Sequence, residues 1–134
     1  MSDPTSSPCV YVESPYSGSN PQEWQRNIEY ARYILQDCLL RGEAPFISHL
    51  LYTQAPHVGF VADDDPKHQL LGRKQAIDLA FQWRSKANKT VVYTDFGITR
   101  GMKFGIEHAE AMKNPIEYRT IPDIHQKLGT KADI

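Results

Sequence analysis

Three stretches of the chain gather residue types that can hold a sugar, a phosphate or a proton. The first, Ser14-Pro-Tyr-Ser-Gly-Ser-Asn20, offers hydroxyls and free backbone N–H groups immediately before a helix start. Oriented dipoles of that kind bind phosphate or carboxylate groups, and the same residues equally make a plain turn with a good cap. It is not a P-loop, because Gly-Lys-Ser/Thr is missing. Ser14, Tyr16, Ser17 and Gly18 are its candidate ligand contacts, with Tyr16 either stacking on a base or packing on the domain. The second stretch, Asp95-Phe-Gly-Ile-Thr-Arg-Gly101, repeats the physics and adds Arg100, whose guanidinium suits bidentate phosphate recognition unless it is simply solvated. Thr99, Arg100, Gly101 and Met102 are candidate contacts here. Asp95, ending a strand, is placed for a sugar hydroxyl or for acid–base work, or else bonds its own turn. The third stretch is Ser48-His49, at the end of another apolar run.

Glu107 and Gly105 complete the candidates. Glu107 follows Lys103 by four residues, the spacing of a surface ion pair, so a structural role competes with a chemical one. Gly101 and Gly105 cost about 1 kcal/mol each inside a helix and tend to survive where a backbone or ligand approaches closely. His57, His68, His108 and His125 lack metal-ligand spacing, and Asp63-Asp64-Asp65 lacks the rest of a calcium loop. No metal and no cofactor are expected.

The elements that must position these residues follow from period and punctuation. Cys9 to Glu13 is a β-rich run that breaks into the first loop. Asn20 as N-cap, Pro21 at the first helical position and Glu23 at the third start a helix over 21–41, with Trp24, Ile28, Ala31, Leu35 and Cys38 on one stripe and Gly42 at its end. Ala44 to Ser48 is the second strand. Residues 51–65 form an irregular excursion, after which Asp65 caps and Pro66 opens a helix carrying Ala76, Leu79, Ala80 and Trp83 to about Ser85. Thr90 to Thr94 is the most β-branched run and belongs in the centre of the sheet. Thr99 caps a third helix whose buried face is Met102, Ile106, Ala109 and Met112. Pro115 to Tyr118 is a fourth strand, a helical turn follows near 123–127, and 1–7 and 129–134 are expected to fray. Strands alternating with helices require right-handed crossovers, hence a parallel sheet of order 2-1-3-4 covered on both faces, with a crevice where the loops after strands 1 and 3 meet.

Composition narrows the possible ligands. A chain of 134 residues fits one domain, 1–134, with one core. Fifteen basic against sixteen acidic residues, without a basic stripe, give no source for nucleic-acid binding, so a small ligand is expected. No apolar run spans a bilayer and Met1 to Pro8 lacks signal-peptide features, so a cytoplasmic, non-membrane protein is expected. Cys9 and Cys38 are read as reduced core thiols.

Together Val10-Tyr-Val-Glu-Ser-Pro-Tyr-Ser-Gly18, Asn27-Ile-Glu-Tyr-Ala31, Ala44-Pro-Phe-Ile-Ser-His-Leu-Leu-Tyr52 and Gly97-Ile-Thr-Arg-Gly-Met102 through Glu107 to Asn114-Pro-Ile-Glu-Tyr-Arg119 resemble the nucleoside 2-deoxyribosyltransferase-like superfamily, particularly its small phage and bacterial branch. The resemblance implies a flavodoxin-like homo-oligomer that binds nucleosides or nucleotides and cleaves the N-glycosidic bond through a carboxylate nucleophile. Counted back from Pro115-Ile116, the family's nucleophilic glutamate falls on Gly105 of this chain. Glu107 then takes the role by default, although two residues turn a helix by about 200°. On this reading Glu107 and Asp95 do chemistry, while Ser14, Tyr16, Ser17, Gly18, Ser48, His49, Thr99, Arg100, Gly101 and Met102 hold ligand. Two rivals remain: a non-catalytic nucleotide binder, favoured by Gly105, and a structural or interaction protein that keeps the fold.

Overall fold

The computed structural model describes residues 7–54, 57–59, 67 and 69–130. Four parallel strands, β1 (Cys9–Glu13), β2 (Ala44–Phe46), β3 (Lys89–Tyr93) and β4 (Ile116–Arg119), form one sheet in the order β2-β1-β3-β4. The expected order and the central place of the β-branched run are both observed. Register sets the faces: Tyr11 lies beside Thr90, and Glu13 beside Val92.

Helix α1 (Pro21–Leu40) begins as its residues require. Asn20 Oδ1 accepts from the N–H of Glu23 at 2.9 Å, and Pro21 occupies the first turn, where a missing N–H costs nothing. It ends before Gly42, whose φ of +78° reverses the chain. Its buried residues Tyr30, Ala31, Ile34 and Cys38 pack on Val10, Val12, Val91 and Tyr93; α5 (Ile124–Leu128) closes the same layer through Ile124. On the opposite face α4 (Arg100–Ala111) lays Met102 and Ile106 against Val92. The helices leaving β1 and β3 thus go to opposite faces. That divergence opens the crevice at their carboxyl ends.

Several expectations are corrected. The second strand stops at Phe46 and Ser48–Leu51 form a short helix, α2. The helix expected from Pro66 is α3 (Arg73–Phe81), with Gly72 at its N-cap, tightening into a 3-10 segment, Gln82–Lys86. Of its expected stripe only Ala80 is buried, whereas Leu79 and Trp83 are about half exposed. Trp83 instead stacks on Phe46, and its indole N–H donates to the Tyr52 hydroxyl. Cys9 is exposed and Cys38 is buried, both as free thiols. The aspartate triplet 63–65, Pro66, His68 and the two extreme ends, 1–6 and 131–134, lie outside the described residues.

Candidate functional site

The strand that feeds the first loop ends in a carboxylate, Glu13, only 8% exposed and turned toward α4. A Cβ placed on Gly105 would fall well inside van der Waals contact with the carboxyl carbon and both oxygens of Glu13. Glycine is therefore required at 105 for this carboxylate to sit over the helix. The Nη2 of Arg84, a fully buried residue of the 3-10 segment, donates to Glu13 Oε2. Arg84 Nη1 lies 2.7 Å from His108 Nδ1, and its guanidinium stacks over the rings of Tyr11 and Phe81. The demand for hydrogen bonds is not met in full. Arg84 Nε is buried without a partner, and Glu13 Oε1 accepts no hydrogen bond from a described residue. Burial pushes the Glu13 carboxyl up to about 7 against the opposing pull of Arg84. Burial and then the Arg84 charge hold His108 below its ordinary value, which leaves it neutral and able to accept from the guanidinium.

The first loop is tied to three elements. Asn27 of α1 is buried and donates from Nδ2 to the carbonyls of Tyr16 (2.9 Å) and Ser17 (3.2 Å). The Gly18 carbonyl accepts from the Trp24 indole at 2.6 Å. Ser14 Oγ lies 3.3 Å from His49 Nδ1, and the Tyr16 ring packs on His49 and Trp24. Burial first, and then the charge of Arg73, push His49 down to about 4, so the ring is neutral at physiological pH. Arg73, the first residue of α3, donates from Nη2 to Ser17 Oγ at 3.1 Å and lies over the Tyr16 ring. Ser48 is half-buried at the start of α2, so Ser14, Tyr16, Ser17, Gly18 and His49 are brought together with Ser48 beside them.

The loop after β3 is occupied differently. Both Asp95 oxygens accept from the N–H of Ile121, at 3.2 and 3.1 Å, and one also accepts from the Tyr30 hydroxyl at 2.7 Å. This carboxylate pins α1, β3 and the segment after β4 together. Thr99 Oγ1 accepts from the N–H of Met102 at 3.2 Å as the α4 cap, and the Met102 side chain is 1% exposed, in the core. Arg100 and Gly101 are exposed at the start of α4. Glu107 is exposed two residues past Gly105 and bonds to no described residue. Arg26 crosses between the loops: Nε and Nη2 donate to Asn27 Oδ1, while its guanidinium lies 4.2 Å from the centroid of Phe96.

Sequence reasoning missed Glu13, Arg84, Arg26, Asn27 and Arg73. The argument applied to Asp95, a carboxylate at the carboxyl end of an interior strand, holds equally for Glu13. The suspicion attached to Gly105 also pointed there. Nothing local marked Arg84, which meets Glu13 across 71 positions. Among the described residues no group of three His, Cys, Asp or Glu side chains could hold a metal ion, and no helix is long and apolar enough to cross a membrane.

A parallel 2-1-3-4 sheet with helices on both faces and polar loops gathered at its switch point defines a flavodoxin-like α/β domain. Residues 8–119 match a family described as a domain of unknown function, DUF7768, and the chain belongs to that family. Among solved structures it is similar to a 2-deoxyribosyltransferase from the psychrotolerant bacterium Bacillus psychrosaccharolyticus, described as a biocatalyst for the synthesis of antiviral and antitumoral nucleosides. That similarity has a TM-score of 0.52 at 16% identity, over 94% of this chain and 76% of that one. No curated protein matches.

Proposed function

We propose that this protein binds a nucleoside or nucleotide in the crevice outside β1 and β3 and breaks its N-glycosidic bond, with Glu13 as the reacting carboxylate. The observation that carries this reading is the placement of Glu13: a shielded carboxyl at the carboxyl edge, one oxygen held by Arg84 and the other accepting from no described residue. The shared fold of a deoxyribosyltransferase supports the choice of bond. In the reaction, Glu13 Oε1 attacks the anomeric carbon as the bond to the base nitrogen breaks. The base leaves with the electron pair and takes a proton from water. A second water then attacks the glycosyl ester at the same carbon, releasing the sugar and restoring the carboxylate. Arg84 favours the ionised carboxylate that attack requires. Ser14, Tyr16, Ser17, Gly18, Ser48 and His49 form one wall of the crevice, and Thr99, Arg100 and Gly101 the other.

Glu13 replaces Glu107 in this reading because α4 turns Gly105 toward the sheet and Glu107 toward solvent. A second reading, a binder that does no chemistry, is favoured by the ion pair that already engages Glu13. Chromatography of mixed nucleosides and nucleoside 5'-monophosphates after incubation separates the two. Released base that falls at least about 100-fold in Glu13→Gln and persists in Glu107→Gln supports the reaction. Intact substrates that stabilise the fold identify a binder, and base release insensitive to Glu13→Gln removes the assignment.

A further inference from the structure

The seven arginines divide by place. Arg32, Arg41, Arg84 and Arg119 each pair with a carboxylate, whereas Arg26, Arg73 and Arg100 make no ion pair with a described residue. Two of these three lie at the first loop, Arg73 by direct contact and Arg26 through a neighbouring amide. Arg26 reaches it through Asn27, whose amide holds the Tyr16 and Ser17 carbonyls, and Arg73 reaches it through Ser17 Oγ and the Tyr16 ring. Neither guanidinium is saturated: Nη1 of Arg26 and Nη1 and Nε of Arg73 donate to no described residue. Among the described residues, the acids of these two loops are engaged elsewhere. Glu23 accepts from the backbone N–H of Ser19, and Asp95 is engaged by Tyr30 and Ile121.

Holding two cations at one loop costs self-repulsion, which a bound anion removes. A planar guanidinium with free N–H groups fits the oxygens of a phosphate in pairs, and one stacked on an aromatic ring keeps its aim. We propose that the ligand carries a phosphomonoester gripped by Arg26 and Arg73 on the first loop. This deepens the reading above, taking from it only the nucleoside part of the ligand, and makes a nucleoside 5'-monophosphate the substrate rather than the bare nucleoside. Arg26, lying against Phe96, also links the phosphate to the loop after β3.

Calorimetric titration of the full chain with the four 2'-deoxynucleoside 5'-monophosphates, their nucleosides and inorganic phosphate tests this. At least one monophosphate is expected to bind about 10-fold or more tightly than its nucleoside, with affinity falling as salt rises. Arg73→Gln and Arg26→Gln each abolish that advantage, while Arg32→Gln, the same charge change on an exposed residue of α1, keeps it. Circular dichroism confirms the fold of each variant, and Arg26→Lys, retaining charge without the fork, restores only part of the binding. Nucleosides binding as tightly as monophosphates, no monophosphate binding at all, or glutamine variants no weaker than Arg32→Gln each overturn the proposal. Arginine-dependent monophosphate binding without base release upholds it and removes the glycosidic reaction. Base release from nucleosides with no phosphate advantage does the reverse.

Discussion

Glu13 and Glu43 are each 8% exposed and each meets a buried arginine, yet their electrostatic conditions are opposite. On the α1 face Arg119 grips both oxygens of Glu43, at 2.7 and 2.5 Å, while Lys89 approaches to 3.6 Å. Arg119 also bonds Glu117 and the Tyr93 hydroxyl, so its fork is filled. Hydrogen bonds from Arg119 lead the causes that hold the Glu43 carboxyl below its ordinary value. On the α4 face Glu13 receives one bond from the described residues, and burial raises it to about 7. At equal exposure, stronger desolvation and a poorer donor supply at Glu13 separate a carboxylate committed to the scaffold from one whose proton is easily exchanged at neutral pH.

The largest expected effect tests that contrast directly. Arg119→Met strips Glu43 of both fork bonds and takes the guanidinium away from the Tyr93 hydroxyl and Glu117, so it is expected to lower stability by about 3 to 5 kcal/mol in urea unfolding. Arg84→Met at pH 6 is expected to cost less than half as much, because Glu13 can take up a proton and cease to be a buried charge. Equal costs would break the comparison, and a Glu13 that remains ionised in Arg84→Met, seen by carboxyl NMR, would show why.

Gly105 sharpens it next. Gly105→Ala drives a methyl group into the Glu13 carboxylate and is expected to cost about 1 to 3 kcal/mol as overpacking, with loss of any activity that Glu13 supports. In a Glu13→Ala background the same change meets no carboxylate. It should then gain the roughly 0.5 to 1 kcal/mol by which alanine outperforms glycine inside a helix. A change of sign between backgrounds, read from paired urea curves, is the signature; the same sign in both would detach Gly105 from Glu13.

Legibility followed the range of the interactions. Asn20, Pro21 and Glu23 announced α1, and Thr99 announced α4, because a cap is decided within four residues. Sheet order was legible because alternation and crossover handedness leave few options. The start of α3 was not, since Pro66 competes with Gly72 and propensity does not rank them. The candidate site was half visible. Its first loop is local, whereas the Glu13, Gly105 and Arg84 constellation exists only when three distant segments pack together. Asp95 carried the right signal for a site, but its carboxylate is claimed by Tyr30 and Ile121, partners no local pattern names.

The smallest net effect is expected in the pH dependence of stability, where two groups at the carboxyl edge oppose each other. Glu13 has a folded pKa raised to about 7, so its contribution is fully present below the unfolded value near 4.5 and fades as pH rises to 7. His49 has a folded pKa lowered to about 4, so the unfolded chain takes the proton first and stability falls as pH drops below about 6.5. Across roughly pH 4.5 to 6.5 the slopes have opposite signs, and the intact protein is expected to show a shallow profile there. Glu13→Gln should leave a curve that rises with pH through this window, and His49→Asn one whose rise is weakened or reversed. His108, held low by burial and Arg84, adds a minor slope in the His49 direction. Urea unfolding at half-unit intervals resolves these slopes. A wild-type curve already as steep as that of Glu13→Gln would mean that Glu13 ionises normally, and the donor deficit on the α4 face would then lose its consequence.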